Sequence, residues 1–188
     1  MHSTQRTWNG LTIPAAGTFE LDPAHTRAGF VARHLMVSKV RGSFTGVAGK
    51  LVIGEDPADS SVTATLDAAT ITTGTADRDA HLRSPDFLDV ERFPVLTFRS
   101  TGLSDRDDTS FTLAGDLTIK DVTRPVELRV DFEGLAKSPY GAEVVGFAAR
   151  TEIDREAFGL TWNVTLETGG VLVGRKVIIE IEAEAVRH

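Results

Sequence analysis

Near the C-terminus, the dozen residues "KVIIEIEAEAVR" alternate apolar and polar faces. Val177, Ile179, Ile181, Ala183 and Ala185 fall on one face, and Glu180, Glu182 and Glu184 fall with Ile178 on the other. A period of two over this length predicts a strand with one dry and one wet face. The same logic runs through "PVELRVDFEG", where Val126, Leu128, Val130 and Phe132 oppose Glu127, Arg129, Asp131 and Glu133. It also runs through "SFTLAGDLTIKD" (Phe111, Leu113, Leu117, Ile119), "EVVGFAARTEID" (Val145, Phe147, Ala149, Thr151, Ile153) and "SSVTATLDAATIT" (Val62, Ala64, Leu66, Ala68).

Three further segments, "RAGFVARHL", "GSFTGVAGKLVIG" and "PVLTFRSTGL", read as strands with less regular faces. The count comes to about eight, joined by polar turns such as "GEDPADS", "SDRDDT" and "AKSPYGA", in which Asp, Gly and Pro supply the geometry. Eight antiparallel strands make a sandwich or a barrel. Gly42, Gly46 and Gly49, read as lying in one strand, favour the bends that a closed sheet requires. Many inward positions are small (Ala64, Ala68, Ala149, Ala183, Ala185), which leaves space for a cavity unless larger neighbours fill it.

Between Ala69 and Phe93 the alternation lapses. A connection of that length rarely lacks structure. The pattern predicts two short helices, the first capped by Thr75 or Asp77 and running through Leu82, the second capped by Ser84 with Pro85 at its first position and stopped by Pro94. Leu82, Phe87, Leu88, Val90 and Phe93 give this insert an apolar side suited to lie across a barrel.

Composition removes several function classes. The 188 residues carry a formal net charge of −7 with no basic run, so a nucleic-acid backbone is not expected as a partner. There is no cysteine, which excludes disulfides, thiolate nucleophiles and cysteine-held zinc. No segment reaches the length of a transmembrane helix, and "MHSTQRTWNGLTIPAAG" has no apolar run of signal-peptide length, so the expected location is the cytoplasm. The segment "GSFTGVAGK" lacks the spacing of a phosphate-binding loop, no Gly-x-Ser-x-Gly elbow occurs, and no carboxylate pair can be named. The histidines show no metal-ligand spacing, so neither a metal nor a catalytic set is expected.

Four segments then acquire a joint meaning. "LDPAHTRAGFVARHLMVSKVRGSFTGVAGKL", "AHLRSPDFLDVERFPVLTFRS", "AGDLTIKDVTRPVEL" and "DREAFGLTWN" resemble, in order and with compatible spacing, the signatures of the YceI-like family. The resemblance covers roughly Gly17 to Val186, so residues 1–16 read as an N-terminal extension and 17–188 as a single domain. It implies an all-β fold, an eight-stranded antiparallel lipocalin-like barrel with the short helical insert between strands. It also implies a hydrophobic pore for a polyisoprenoid or quinone-like lipid, which would be the bound partner in place of any cofactor. Family members often form dimers, so a homodimer is an expectation, and many are exported.

With that fold, the lumen candidates are Phe30, His34, Phe44, Leu66, Phe98, Leu113, Leu117, Phe132, Phe147 and Ile179. The lid candidates are His81, Leu82, Phe87, Leu88, Phe93 and Trp162. His34 is the histidine with an inward direction; its plainer role is a satisfied polar group near a barrel end. Arg78, His81 and Arg83 form a cationic cluster that would suit an anionic head group, against the plainer reading of a solvated helix face. Two other functions stay open on sequence: an enzyme acting on an isoprenoid-type lipid through His34 or His81, and a filled barrel acting as a stress or partner-binding protein.

Overall fold

The computed structural model describes residues 5–188; residues 1–4, part of the expected extension, lie outside the described residues. In chain order the elements are β1 (Gln5–Trp8), β2 (Leu11–Pro14), β3 (Gly17–Leu21), β4 (Arg27–His34), β5 (Ser38–Phe44), β6 (Val47–Ile53), β7 (Ser61–Asp67) and β8 (Ile71–Thr72). There follow α1 (Ala76–Arg83), β9 (Val95–Asp107), β10 (Ser110–Ile119), β11 (Val122–Lys137), β12 (Glu143–Asp154) and β13 (Val173–Arg187).

Eight strands close into an antiparallel ring, β3-β6-β7-β9-β10-β11-β12-β13, with β13 returning to β3. Closure removes the unpaired edges that an open sheet would expose. β13 is long enough to serve two partners: Ala185–Arg187 pair with β3 and residues between Val173 and Glu182 pair with β4. β4 carries β5, and β5 carries β8, so one wall extends beyond the ring.

The alternating segments take the faces that their periodicity predicts. Val126, Leu128, Val130 and Phe132 on β11, and Val177, Ile179, Ile181 and Ala183 on β13, all line the interior. The outer positions are charged and pair across strands, as in Arg150 Nη1–Glu180 Oε1 at 2.8 Å and Lys176 Nζ–Glu152 Oε1 at 2.9 Å. This is the reverse of a membrane-spanning barrel, whose outer band is apolar. No helix among the described residues is long and apolar enough to cross a membrane.

Two local expectations are corrected. The segment read as a single glycine-bearing strand is two strands, β5 and β6, parted at Thr45–Gly46. There the backbone turns outward, Gly46 donating to Thr70 Oγ1 at 2.9 Å and accepting from Asp67 N at 2.8 Å. The second helix of the insert does not form. Ser84 closes α1 instead of opening a new helix, its hydroxyl and its N–H both bonding His81 O. The chain beyond folds as tight turns, with Asp89 in the left-handed region at φ 48°. Burial explains the choice. The adjacent pair Phe87 and Leu88 both reach the interior, which turns permit and one short helix face does not.

Candidate binding site in the barrel lumen

An eight-stranded barrel is just wide enough to be filled by its own side chains or to hold one small ligand. This one is hollow. Its lumen is a cavity of about 550 Å³, within the range of roughly 300–1,000 Å³ typical of ligand pockets. Inward residues such as Leu66, Phe98, Leu113, Phe132, Phe147 and Ile179 are only half-buried, because the space in front of them is empty. The wall is almost wholly aliphatic and aromatic. Small side chains at Ala64, Ala149 and Ala183 create part of the volume.

The two ends differ. At the α1 end the lumen is closed by a buried cluster of Ala68, Ile71, Leu88, Leu96, Leu117, Ile119, Ile153 and Phe158. At the other end the wall reaches exposed residues in the 57–61 and 104–109 turns, among them Ala58, Ser61, Ser104, Asp105 and Thr109. A second buried cluster, Phe19, Val145 and Ala185, fills the β3–β12–β13 side of that end, and the opening lies beside it, between the 57–61 and 104–109 segments.

The β1–β2 hairpin leans over that opening. Trp8, Leu11, Ile13 and Pro14 all contribute to the cavity wall. The hairpin is held by Arg6, which donates to the carbonyls of Gly54 and Glu55 and to Pro14 O, and by the Arg106 guanidinium, 4.1 Å from the Trp8 ring. Sequence reasoning passed over these residues as a plain extension. The available signal was Asn9-Gly10, the favoured pair for a tight hairpin turn. Both residues adopt the positive φ that such a turn demands, 49° and 84°.

Of the expected site residues, Phe30, Phe44, Leu66, Phe98, Leu113, Leu117, Phe132, Phe147, Ile179, Leu82, Phe87 and Leu88 stand on the cavity wall. Four stand off it. His34 stands off the wall at the end of β4, opposite Ser38 and Val173. It has the sequence parity of Phe30 and Ala32, but the β4–β13 register shifts between Val177 and Val173, and of the His34–Val173 pair only Val173 lines the cavity. His81 and Trp162 form an outer layer over the lid, with ring centroids 4.6 Å apart and both rings packed on Phe87. His81 Nε2 lies 2.8 Å from Asp86 Oδ2. Phe93 packs outside, near the cations of Arg92 and Lys120.

The cationic cluster is absorbed by structure. Arg78 donates to Thr73 and Thr75, and Arg83 to the carbonyls of Ala69 and Ile71. Asp79 fastens α1 to the preceding strand. Burial alone would raise its carboxyl, but hydrogen bonds from Thr73 and Thr72, with Arg83 nearby, hold it below the ordinary carboxylate value.

One wall residue was not among the expected site residues. Arg155 is 3 % exposed and follows β12 in a short turn capped by Asp154. Its guanidinium donates to Gly174 O (2.8 Å), Leu160 O (2.6 Å), Trp162 O (3.0 Å) and Val173 O (3.3 Å). Burial pushes its pKa down, while Glu156 and Asp154 pull the other way. The side chain ties the 159–174 loop to the closed end of the barrel. With its donors so committed, it offers a ligand little.

A third cluster lies on the outer wall. Asp22, His25 and Glu184 gather where β3 passes into β4, with His25 Nδ1 at 2.8 Å from Asp22 and 3.8 Å from Glu184. Asp22 also accepts from Ala24 N, so the group is accounted for as a turn lock.

Comparison with known proteins agrees with this architecture. A UPF0312 protein of Staphylococcus aureus (strain USA300) is 38% identical over 171 residues, covering 88% of this chain and 95% of that one. The crystal structure of Burkholderia cenocepacia BcnA superposes with a TM-score of 0.74 at 21% identity, covering 87% of this chain and 98% of that one. A polyisoprenoid binding domain from Saccharophagus degradans superposes with a TM-score of 0.69 at 12% identity, covering 92% and 99%. The YceI-like domain family matches residues 19–185, which leaves the β1–β2 hairpin outside the shared domain. On that match and the curated likeness, the chain belongs to the YceI-like family.

Proposed function

We propose that this protein binds and carries or stores a long apolar molecule, of isoprenoid or quinone type, inside its lumen. The observation that carries the reading is the hollow itself: about 550 Å³ of apolar-walled space, closed at the α1 end and open under the β1–β2 hairpin. The description of the Saccharophagus degradans neighbour as a polyisoprenoid binding domain supports the ligand class.

Affinity would come from desolvating the chain. Each buried methylene contributes about 0.8 kcal/mol, less the cost of ordering the tail. Such binding grows with chain length and needs no polar contact within the wall. A polar head belongs at the mouth, where Ser60, Ser104, Arg106 and Thr109 form the rim. The inner end is apolar apart from the committed Arg155.

The test is denaturing extraction of protein purified from its own host, with mass spectrometry of the organic phase. A long-chain isoprenoid recovered in proportion to protein supports the reading. A blank organic phase, together with no uptake of an added fluorescent prenyl probe, overturns it.

A further inference from the structure

Among the described residues, three tight turns place successive residues at positive φ, one of them with Gly169 and Gly170, where glycine carries no strain. The β1–β2 turn does so with Asn9 and Gly10, the residues that tolerate it. The β4–β5 turn does so with Leu35 at 53° and Met36 at 61°, closed by Val37 N bonding His34 O at 3.1 Å. Bulky side chains in the left-handed region are strained.

The same tip is also costly in solvation. Leu35 is 39 %, Met36 55 % and Val37 80 % exposed. The adjoining loop, joined through Leu35 N to Leu172 O and Leu172 N to Val164 O, carries Val164 at 46 % exposure. One step behind the tip, Arg33 and Lys39 stand directly opposite each other across the hairpin. Like charges in that position repel. Both are exposed, and neither makes an ion pair among the described residues, although the chain as a whole is acidic at −7. Arg41, further along β5, is by contrast paired with Glu180 at 3.7 Å. The acidic residue of the adjoining loop is Glu167.

Strain, exposed apolar surface and an uncompensated basic pair thus coincide on one protrusion. We propose that the Leu35–Val37 tip is a docking point for an anionic lipid surface, its apolar side chains entering the interface and Arg33 and Lys39 meeting the phosphates. Interfacial binding elements combine these two features, an apolar wedge and cations at headgroup level. A second copy of the chain fits less well, because a two-fold contact through this tip would set the Arg33–Lys39 pairs against each other. Docking here places the α1-capped end at the membrane and leaves the mouth clear. The inference stands on the tip alone and does not depend on what the lumen holds.

The test is flotation of the full chain with vesicles of phosphatidylcholine alone and of equal parts phosphatidylcholine and phosphatidylglycerol. Wild type should float with the mixed vesicles, lose that association in high salt, and stay behind with phosphatidylcholine alone. Each of Arg33→Gln and Lys39→Gln should weaken binding about fivefold. The double change Leu35→Asn with Met36→Gly supplies the residues that the turn prefers, so it should unfold at the same or a higher temperature and yet float at least tenfold less. Absence of flotation by wild type, or equal flotation by the Asn-Gly variant, overturns the proposal. So does a concentration-dependent dimer that the Asn-Gly change abolishes in a protein that ignores vesicles.

Discussion

The ring of Phe98 on β9 occupies the space that a side chain on Gly115 of β10 would fill: a Cβ there would stand 2.3 Å from Phe98 Cζ. A glycine on one strand therefore seats an aromatic from the next and lets the sheet curve tightly around the lumen. Gly115→Ala should force Phe98 off its place and into the hollow. Overpacking of this kind costs about 1–3 kcal/mol. Urea denaturation should show that loss, and a prenyl probe should bind more weakly to the folded variant.

Arg155 organises the closed end. Its removal by Arg155→Ala strips donors from four carbonyls that few other groups can reach. The expected cost is roughly 3 kcal/mol or more, which lowers Tm by roughly 6–12 °C in a domain of this size. Arg155→Lys should recover less than half, since an ammonium cannot span the same fork of acceptors. Calorimetry of the three proteins checks this.

Acid–base behaviour should single out the turn at Asp22. The hydrogen bond that His25 donates to the Asp22 carboxylate, then the charges of Glu184 and Asp22, raise the His25 imidazole above its ordinary value. The hydrogen bond accepted from His25, then that accepted from Ala24 N, lowers the Asp22 carboxyl. For His25 the linked stability is fully present below the unfolded imidazole pKa and disappears as pH rises through the folded one. For Asp22 it is present above the unfolded carboxyl pKa and disappears as pH falls through the folded one. An NMR titration should find His25 charged to higher pH than a free imidazole, and Asp22→Asn should bring its midpoint down. An unchanged midpoint would contradict the contact.

The β1–β2 hairpin should govern exchange at the mouth. Arg106→Ala removes the cation from the Trp8 ring, a contact of about 0.5–1 kcal/mol at an exposed site. Release of a bound prenyl probe, followed by stopped flow, should quicken about two- to fivefold while the fold is unchanged. Trp162→Phe leaves Trp8 as the single tryptophan, whose emission should respond to probe at the mouth.

Most of the barrel was legible because strands with one face in a lumen and one in water must alternate, and β10 to β13 do so over most of their length, bulges such as Ala114–Gly115 and Phe132–Gly134 apart. The wall residues followed from the same parity. What escaped depended on where strands stop. His34 has the sequence parity of Phe30, yet the β4–β13 register shifts before it and it stands off the wall. Ser84 has the chemistry of a helix start, but its hydroxyl was already bound to the end of α1. Trp162 and His81 are apolar or aromatic, which cannot distinguish the inner layer of a lid from the outer. Arg155 reads as an ordinary turn residue until the distant carbonyls of Val173 and Gly174 come to meet it. Trp8 was readable from Asn9-Gly10, and its place over the mouth was not.

If the lumen is the binding site, taking up its volume must weaken binding. Ala149 faces the hollow and Glu182 faces solvent on the neighbouring strand. Titration of a fluorescent prenyl probe into wild type, Ala149→Trp and Glu182→Arg, each verified as folded by circular dichroism, gives the decisive comparison. The indole should crowd the lumen and weaken binding, while the outer arginine should leave it unchanged. Equal binding by all three proteins would contradict a ligand in the lumen.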